Sequence, residues 1–260
     1  MKKYKCQVDI IIEARMTSSR LPGKILLEAV GRPMLGLMIE RLKNVDNISN
    51  IIIATTLNQS DDKVEELANR ENILCYRGSE DDVLGRVLES AFFFETDVIV
   101  EITGDNPLSD PTLVSNMIDK FLELSSDIDF LSNDVGYYND DIPVSFPLGL
   151  NVKVFKRDLL ESVERKTNDP LDREHVVNYI LKNISQYRVY NYMASGVYHR
   201  PELRFTMDYQ EDYLLIKEVF EHLYHNDKKF TTEDIINFLD LNVDIKTLNS
   251  ACVQNRYIYK

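Results

Sequence analysis

Val8-Asp9-Ile10-Ile11-Ile12 runs directly into Glu13-Ala14-Arg15-Met16-Thr17-Ser18-Ser19-Arg20-Leu21-Pro22-Gly23-Lys24. The first five residues form a short apolar run rich in β-branched side chains, which predicts a buried strand. The next twelve hold three cations, three hydroxyls and a Pro-Gly turn pair, which predicts a loop. Arg15 and Arg20 offer forked donors to phosphate oxygens, and Lys24 adds a point charge. Backbone N–H groups near Ser18 and Gly23 suit an anion cradle. The spacing is not that of a Walker A loop. Taken alone, these residues fit either a triphosphate site or a solvated loop with scattered charges.

Outward from this stretch the pattern repeats. Met34–Leu42 carries apolar residues at helical spacing, and Asn50–Ala54 reads as a second buried strand. Ser60-Asp61-Asp62 caps a helix reaching about Arg70. Ile73–Tyr76 is a short strand, Asp81–Phe94 a helix, and Asp97–Thr103 a strand ending at Gly104-Asp105. Pro111–Leu124 is a helix with proline in its first turn. Strand and helix alternating four times predict an α/β fold, mainly a parallel sheet with helices on both faces. In such sheets ligands sit at the carboxyl ends of strands, here the loops after Ile12 and after Thr103. Beyond Asp127 the texture changes. Pro143–Leu150 reads as loop, Asn151–Phe155 as strand and Asp172–Asn183 as helix. Tyr187–Tyr192 and Leu203–Met207 read as strands, Asp212–His222 and Thr232–Leu239 as helices. No Pro-, Gly- or Ser-rich linker divides residues 1–260, so a single domain with a small insertion is expected.

The composition narrows the function classes. Thirty cations against 43 acids leave a net charge of −13. A field of that sign repels nucleic acid and anionic lipid, so an anionic substrate needs a local basic site. No apolar run reaches the ~18 residues of a membrane span. Met1-Lys2-Lys3 is followed by a run too short and too charged for a secretory leader, so a cytoplasmic protein is expected. Cys6, Cys75 and Cys252 are far apart, which suits neither a zinc site nor a disulfide framework.

Asp105, on a strand-end loop facing the basic loop, suits a hard cation held by oxygen ligands, and such an ion asks for a second carboxylate. Asp208, in Arg204-Phe205-Thr206-Met207-Asp208-Tyr209-Gln210-Glu211-Asp212, is the candidate, although the same position also reads as a helix cap. Ser79 and Asp82, in Arg77-Gly78-Ser79-Glu80-Asp81-Asp82, read equally as a turn with a cap.

The segment Ala14-Arg-x-x-Ser-x-Arg-Leu-Pro-Gly-Lys24 resembles the signature of the cytidylyltransferases that activate 3-deoxy-manno-octulosonate and acylneuraminates. It looks most like the related SpsF family of spore-coat polysaccharide biosynthesis. The resemblance covers roughly residues 8–220. It implies a Rossmann-like nucleotide-diphospho-sugar transferase fold, with residues 1–125 as the nucleotide-binding half and 126–260 as the acceptor and dimerisation half. It implies that Ala14, Arg15, Ser18, Arg20 and Lys24 wrap the triphosphate of CTP, with Thr103 beside it and Ser79 and Asp82 on the nucleoside. Gly104-Asp105-Asn106-Pro107-Leu108 and Leu203–Asp212 match the two metal motifs, which makes Asp105 and Asp208 the ligands of Mg²⁺. Arg15, Lys24, Asp105 and Asp208 are then the catalytic group. Arg173-Glu174-His175-Val176 resembles a segment near the acceptor.

One departure stands out. Relatives commonly read Gly-x-Asp-Val-Glu-Val-Phe where this chain has Gly149-Leu150-Asn151-Val152-Lys153-Val154-Phe155. Exchanging two acids for Asn151 and Lys153 moves that face by about +3 charges. The expectation is CMP transfer to a small anionic sugar or phosphorylated acceptor in a homodimer. Transfer from GTP or UTP, and nucleotide binding without catalysis, are the rival readings.

Overall fold

Apolar strands that leave no polar face need cover on both sides, and the chain supplies it. The computed structural model describes residues 6–225 and 227–253; Met1-Lys2-Lys3, discussed above, lies outside them. The strands are β1 (Val8–Glu13), β2 (Glu28–Ala29), β3 (Arg32–Pro33), β4 (Asn50–Thr56), β5 (Leu74–Gly78), β6 (Val98–Thr103), β7 (Phe130–Ser132), β8 (Lys153–Lys156) and β9 (Val189–Asn191). The helices are α1 (Met34–Leu42), α2 (Asp62–Arg70), α3 (Val83–Phe93), α4 (Pro111–Glu123), α5 (Arg157–Glu164), α6 (Pro170–Glu174), α7 (Asn178–Lys182), α8 (Gln210–Leu223), α9 (Thr232–Leu241) and α10 (Val243–Lys246).

Seven strands form one sheet in the order β5-β4-β1-β6-β8-β7-β9. The first four run parallel. β8 lies antiparallel between β6 and β7, and β9 joins β7 in parallel. This is the mainly parallel α/β sheet expected. Residues two apart share a face. Ile10, Ile12, Val100 and Ile102 therefore pack one way, in one core with α1, α4, α8 and α9. Ile11, Ile99 and Phe155 pack the other way, with α3, α5 and α7. Truncating a side chain such as Ile12, 0% exposed, to alanine costs about 2–5 kcal/mol.

Helix starts follow local chemistry. The Asp110 carboxylate accepts the Leu113 N–H at 3.0 Å, with Pro111 in the first turn of α4. The Asp82 carboxylate accepts the Gly85 N–H at 2.8 Å at the start of α3.

Three expectations are corrected. The helix expected over Asp172–Asn183 is two short helices, because His175 between them has an extended backbone. The buried Asp172 carboxylate accepts from Thr167 at 2.7 Å and from Asn178 at 2.6 Å, which ties the two short helices together across the break. Leu203–Met207 joins no sheet. It lies against the loop at Leu148, where Phe205 N–H donates to the Leu148 carbonyl at 2.6 Å, and only a single bridge forms. Gly149, at φ +102, permits this contact: a Cβ there would strike the backbone of Phe205 and Thr206. The strand expected at Asn151–Phe155 begins at Lys153. No helix among the described residues is long and apolar enough to cross a membrane.

Candidate active site

β1 and β6 are parallel neighbours, with Glu13 opposite Thr103. Their carboxyl ends therefore open on one edge of the sheet, and the basic loop and the Asp105 loop start side by side. Gly104 makes the approach close. Its N–H donates to the Glu13 carbonyl at 2.8 Å, and a Cβ on it would sit 2.9 Å from that oxygen. The basic loop is pinned from both ends. Met16 N–H donates to the buried Asp61 carboxylate at 2.8 Å. Gly23, in the left-handed region at φ +70, returns its N–H to the Met16 carbonyl at 2.9 Å.

That turn delivers Lys24 to the centre of the site. Its Nζ lies 2.7 Å from Asp105 Oδ2 and 2.9 Å from Asp208 Oδ1. Arg20 reaches the same Asp208 oxygen at 2.6 Å, and Arg204 holds Oδ2 at 3.0 Å. The second loop is tied to the first by Met207 N–H, which donates to the Asp105 carbonyl at 2.8 Å. Thr103 Oγ1 donates to Asp105 Oδ1 at 2.6 Å and accepts from Asn106 Nδ2 at 2.9 Å, which orients the carboxylate. The cap at the start of α8 belongs to Asp212, not to Asp208. The buried Asp212 carboxylate accepts the Asp208 and Tyr209 N–H groups at 3.0 Å each.

Burial works against the charge on Lys24, but Asp105 and Asp208 outweigh it and hold the ammonium above its ordinary pKa. Burial likewise opposes the Asp105 carboxylate, and Lys24, with Thr103, pulls it below the usual range. Two acids from separate loops already meet on one cationic nitrogen, a donor set that fits a hard divalent ion.

Arg15 turns away from this cluster. Its Nη1 donates to the Glu80 carbonyl at 3.2 Å, and its guanidinium lies 3.7 Å from both the Glu80 and Glu174 carboxylates. Glu80 also accepts from Thr17 and, at 2.5 Å, from Asn58; these bonds hold its carboxyl below its ordinary pKa. Ser18 Oγ accepts the Leu21 N–H at 3.4 Å, inside the loop's own turn. Ala14 is buried beneath Gly104. Ser79 and Asp82 both serve the entry to α3: Ser79 Oγ accepts the Asp82 N–H at 3.1 Å. The Asp82 carboxylate also pairs with Arg173, which joins this turn to the segment of His175.

Asn151, Lys153 and His175 gather on the other side of β6. Lys153 is the cross-strand partner of Glu101, and its Nζ lies 2.9 Å from that carboxylate and 3.8 Å from Asp134. Asn151 Nδ2 donates to Asp134 at 3.2 Å. Burial opposes the Lys153 charge, yet Glu101 and Asp134 raise it well above its ordinary pKa. The bare positive face expected from Asn151 and Lys153 is therefore not delivered, because two buried carboxylates cancel the ammonium. Burial lowers the His175 pKa, the charge of Glu174 opposing it. Burial, then the charge of Glu101, raises Glu13 well above the carboxylate range.

Sequence reasoning gave no role to Glu101, Asp134 or Glu80, and quoted Arg204 and Asp212 only as part of the motif around Asp208. Glu101 carried a signal of its own: a charged residue inside Val98-Ile99-Val100-Glu101-Ile102, a strand covered on both faces, needs a partner.

The mainly parallel sheet flanked by helices is that of the nucleotidyltransferase fold. A family model for cytidylyltransferases matches residues 10–249, and the chain belongs to that family. It is 30% identical over 246 residues to the spore coat polysaccharide biosynthesis protein SpsF of Bacillus subtilis (strain 168), covering 93% of this chain and 97% of that protein. The structure of a cytidylyltransferase from Leptospira borgpetersenii serovar Hardjo-bovis (strain JB197) superposes with a TM-score of 0.86 at 33% identity, covering 98% of this chain and 100% of that one. CMP:2-keto-3-deoxy-manno-octonic acid synthetase complexed with CTP shares the fold at a TM-score of 0.60 and 20% identity, over 82% of this chain and 98% of that one.

Proposed function

We propose that this cytidylyltransferase moves CMP from CTP to a small anionic sugar or phosphorylated acceptor, with release of pyrophosphate, in surface polysaccharide biosynthesis. The observation that carries the reading is Lys24 Nζ held between Asp105 and Asp208 at 2.7 and 2.9 Å, with Arg20 on the same carboxylate. Cations and acids from three loops thus converge at the strand ends, where such sheets bind ligands.

An acceptor oxygen attacks the α-phosphorus of CTP, the bond to the bridging oxygen breaks, and pyrophosphate leaves. Among the site residues no side chain is placed as a covalent nucleophile, so positioning and charge neutralisation supply the catalysis. Arg20 and Lys24 exchange the Asp208 carboxylate for the triphosphate, which spreads their charge over the leaving group. Asp105 and Asp208 are the residues to hold Mg²⁺, which when bound neutralises phosphate charge. Two carboxylates would leave the rest of the ion's shell to phosphate oxygens and water. His175 is assigned to the acceptor side, and Arg15, held between Glu80 and Glu174, stands between the nucleotide and acceptor segments. Lys153 acts there as a strut, since its charge is already balanced.

The test is pyrophosphate release with Mg²⁺, each of the four nucleoside triphosphates, and a panel of acidic and phosphorylated sugars. Release with CTP and one anionic acceptor is expected. Preference for GTP or UTP would overturn the choice of nucleotide, and tight CTP binding without turnover on any acceptor would favour a non-catalytic role.

A further inference from the structure

Behind the Asp105 loop lies a cavity of about 420 Å³ that the proposed reaction does not use. It is walled by the end of α1, the start of α4 and the segment leading into α9. In a chain with 43 acids and 30 cations, this wall is reversed. Arg41, Lys43, Lys228 and Lys229 line it against two acids, Asp46 and Asp110. The Asp110 carboxylate is already committed. It accepts from Leu113 N–H at 3.0 Å, Tyr198 Oη at 2.9 Å and Thr232 Oγ1 at 2.5 Å. Lys43 is committed to Glu71, 3.2 Å away. Among the described residues, Arg41, Lys228 and Lys229 have no carboxylate at ion-pair distance.

Arg41 is the unusual member. It is 4% exposed. Nε donates to the Ser109 carbonyl and Nη1 to the Phe230 carbonyl, each at 3.0 Å. The guanidinium lies over the Phe230 ring, 4.4 Å from its centroid. Among the described residues Nη2 has no acceptor. Burial pulls the Arg41 pKa down to about 10, with the Asp110 charge offsetting only part of it. A buried guanidinium that the Asp110 charge balances only in part is stabilised further by an anion nearby. Two helices begin at the same cavity, α4 with 13 residues and α9 with 10. Their N-terminal dipoles favour negative charge there.

We propose that this cavity is a second anion site, separate from the nucleotide loop, which takes a phosphate dianion, free or as a small phosphate ester. The dianion meets Lys228 and Lys229 directly, while the two helix starts, capped by Asp110 and by Thr231 with Asp234, contribute only their dipoles. Nη2 is closed to water, so the charge of Arg41 acts across the wall, where a low dielectric strengthens it. Lysine suits phosphate as a point charge that needs no fixed fork geometry. The volume accommodates the phosphate together with a small organic group.

Isothermal titration with inorganic phosphate and with glycerol 3-phosphate, at matched chloride, tests the site. The protein used is the Arg20→Gln/Lys24→Met variant, which removes phosphate binding at the nucleotide loop. Single-site binding persists in that background, and adding Lys228→Gln/Lys229→Gln weakens it at least about ten-fold. Both lysines are exposed, so the two glutamine changes leave the stability of the Arg20→Gln/Lys24→Met parent unchanged, as its thermal unfolding checks, whereas Arg41→Gln alone would confuse binding with stability. Tighter binding of glycerol 3-phosphate than of phosphate identifies an ester as the ligand, and equal binding identifies the free ion. Loss of all binding in Arg20→Gln/Lys24→Met, or unchanged affinity after the two glutamine changes, overturns the site. Because the nucleotide loop is already disabled, either outcome is independent of the proposed transferase activity.

Discussion

Lys24 and Lys153 each sit between two carboxylates, and they serve opposite ends. Lys24 bridges Asp105 and Asp208 from a turn between loops. Lys153 bridges Glu101 and Asp134 from within the sheet, directly across from Glu101 on the adjacent strand. The first cluster borders solvent, with the Asp105 side chain 23% and the Arg20 side chain 35% exposed. The second is sealed, with Glu101 at 3% and Asp134 at 2%. A cation held by loops at the edge of water can be exchanged for another, whereas one inside a strand pair cannot leave without stranding two buried charges. The same three groups therefore make an exchangeable site in one place and a strut in the other.

The sharpest way to break the comparison is to remove one acid from the exchangeable cluster. Asp105→Asn should lower kcat by about 10²–10³-fold or more while thermal unfolding stays within a few degrees of the parent, since loops absorb the change. In the buried cluster the result should reverse. Lys153→Met should destabilise the fold by about 3–5 kcal/mol in urea unfolding, and Lys153→Met with Glu101→Leu should recover part of that loss. Equal stability of the single and double variants would show that Lys153 is no strut.

Lys24→Met sharpens the contrast from the metal's side. It removes an ammonium that competes for Asp105 and Asp208, so Mn²⁺ binding to the nucleotide-free protein should tighten roughly ten-fold by electron paramagnetic resonance, although turnover falls. Unchanged Mn²⁺ affinity would mean that the two acids do not receive the ion.

The smallest expected effect comes from pH. Glu13 has a folded pKa raised by burial and by Glu101. Its contribution is fully present below the unfolded carboxyl pKa of about 4 and is lost as pH rises towards the folded value. Glu13→Gln should therefore raise Tm by roughly 2–4 °C at neutral pH and leave it unchanged near pH 4. Asp105 and Lys24 act in the opposite windows. Depressed Asp105 contributes above its unfolded pKa, losing that contribution as pH falls through the folded value. Raised Lys24 contributes below its unfolded pKa, losing that contribution as pH rises through the folded value.

Much of the first half was legible in the chain. Val8–Glu13, Asn50–Thr56 and Val98–Thr103 are β-branched runs long enough to declare themselves. The loop from Glu13 to Lys24 was recognisable by its density of cations and hydroxyls. The second half was harder for local reasons. Phe130–Ser132 is a three-residue strand, too short for a period to register. Leu203–Met207 has a strand's composition but spends its hydrogen bonds on the loop at Leu148. The break at His175 is set by Asp172 reaching Asn178 with its side chain, which backbone propensity does not register.

From the sequence alone came the α/β class and the basic loop, because strand period and turn chemistry are properties of neighbours along the chain, while the pairing of Asp105 with Asp208 came from the family resemblance. Only the tertiary structure decided that Lys24 meets Asp105 across 81 positions and Asp208 across 184. It also decided that Lys153 spends its charge on Glu101 rather than on an acceptor. Such partnerships depend on which strand ends share an edge and how far each lies from water, and those are set by packing of the whole chain.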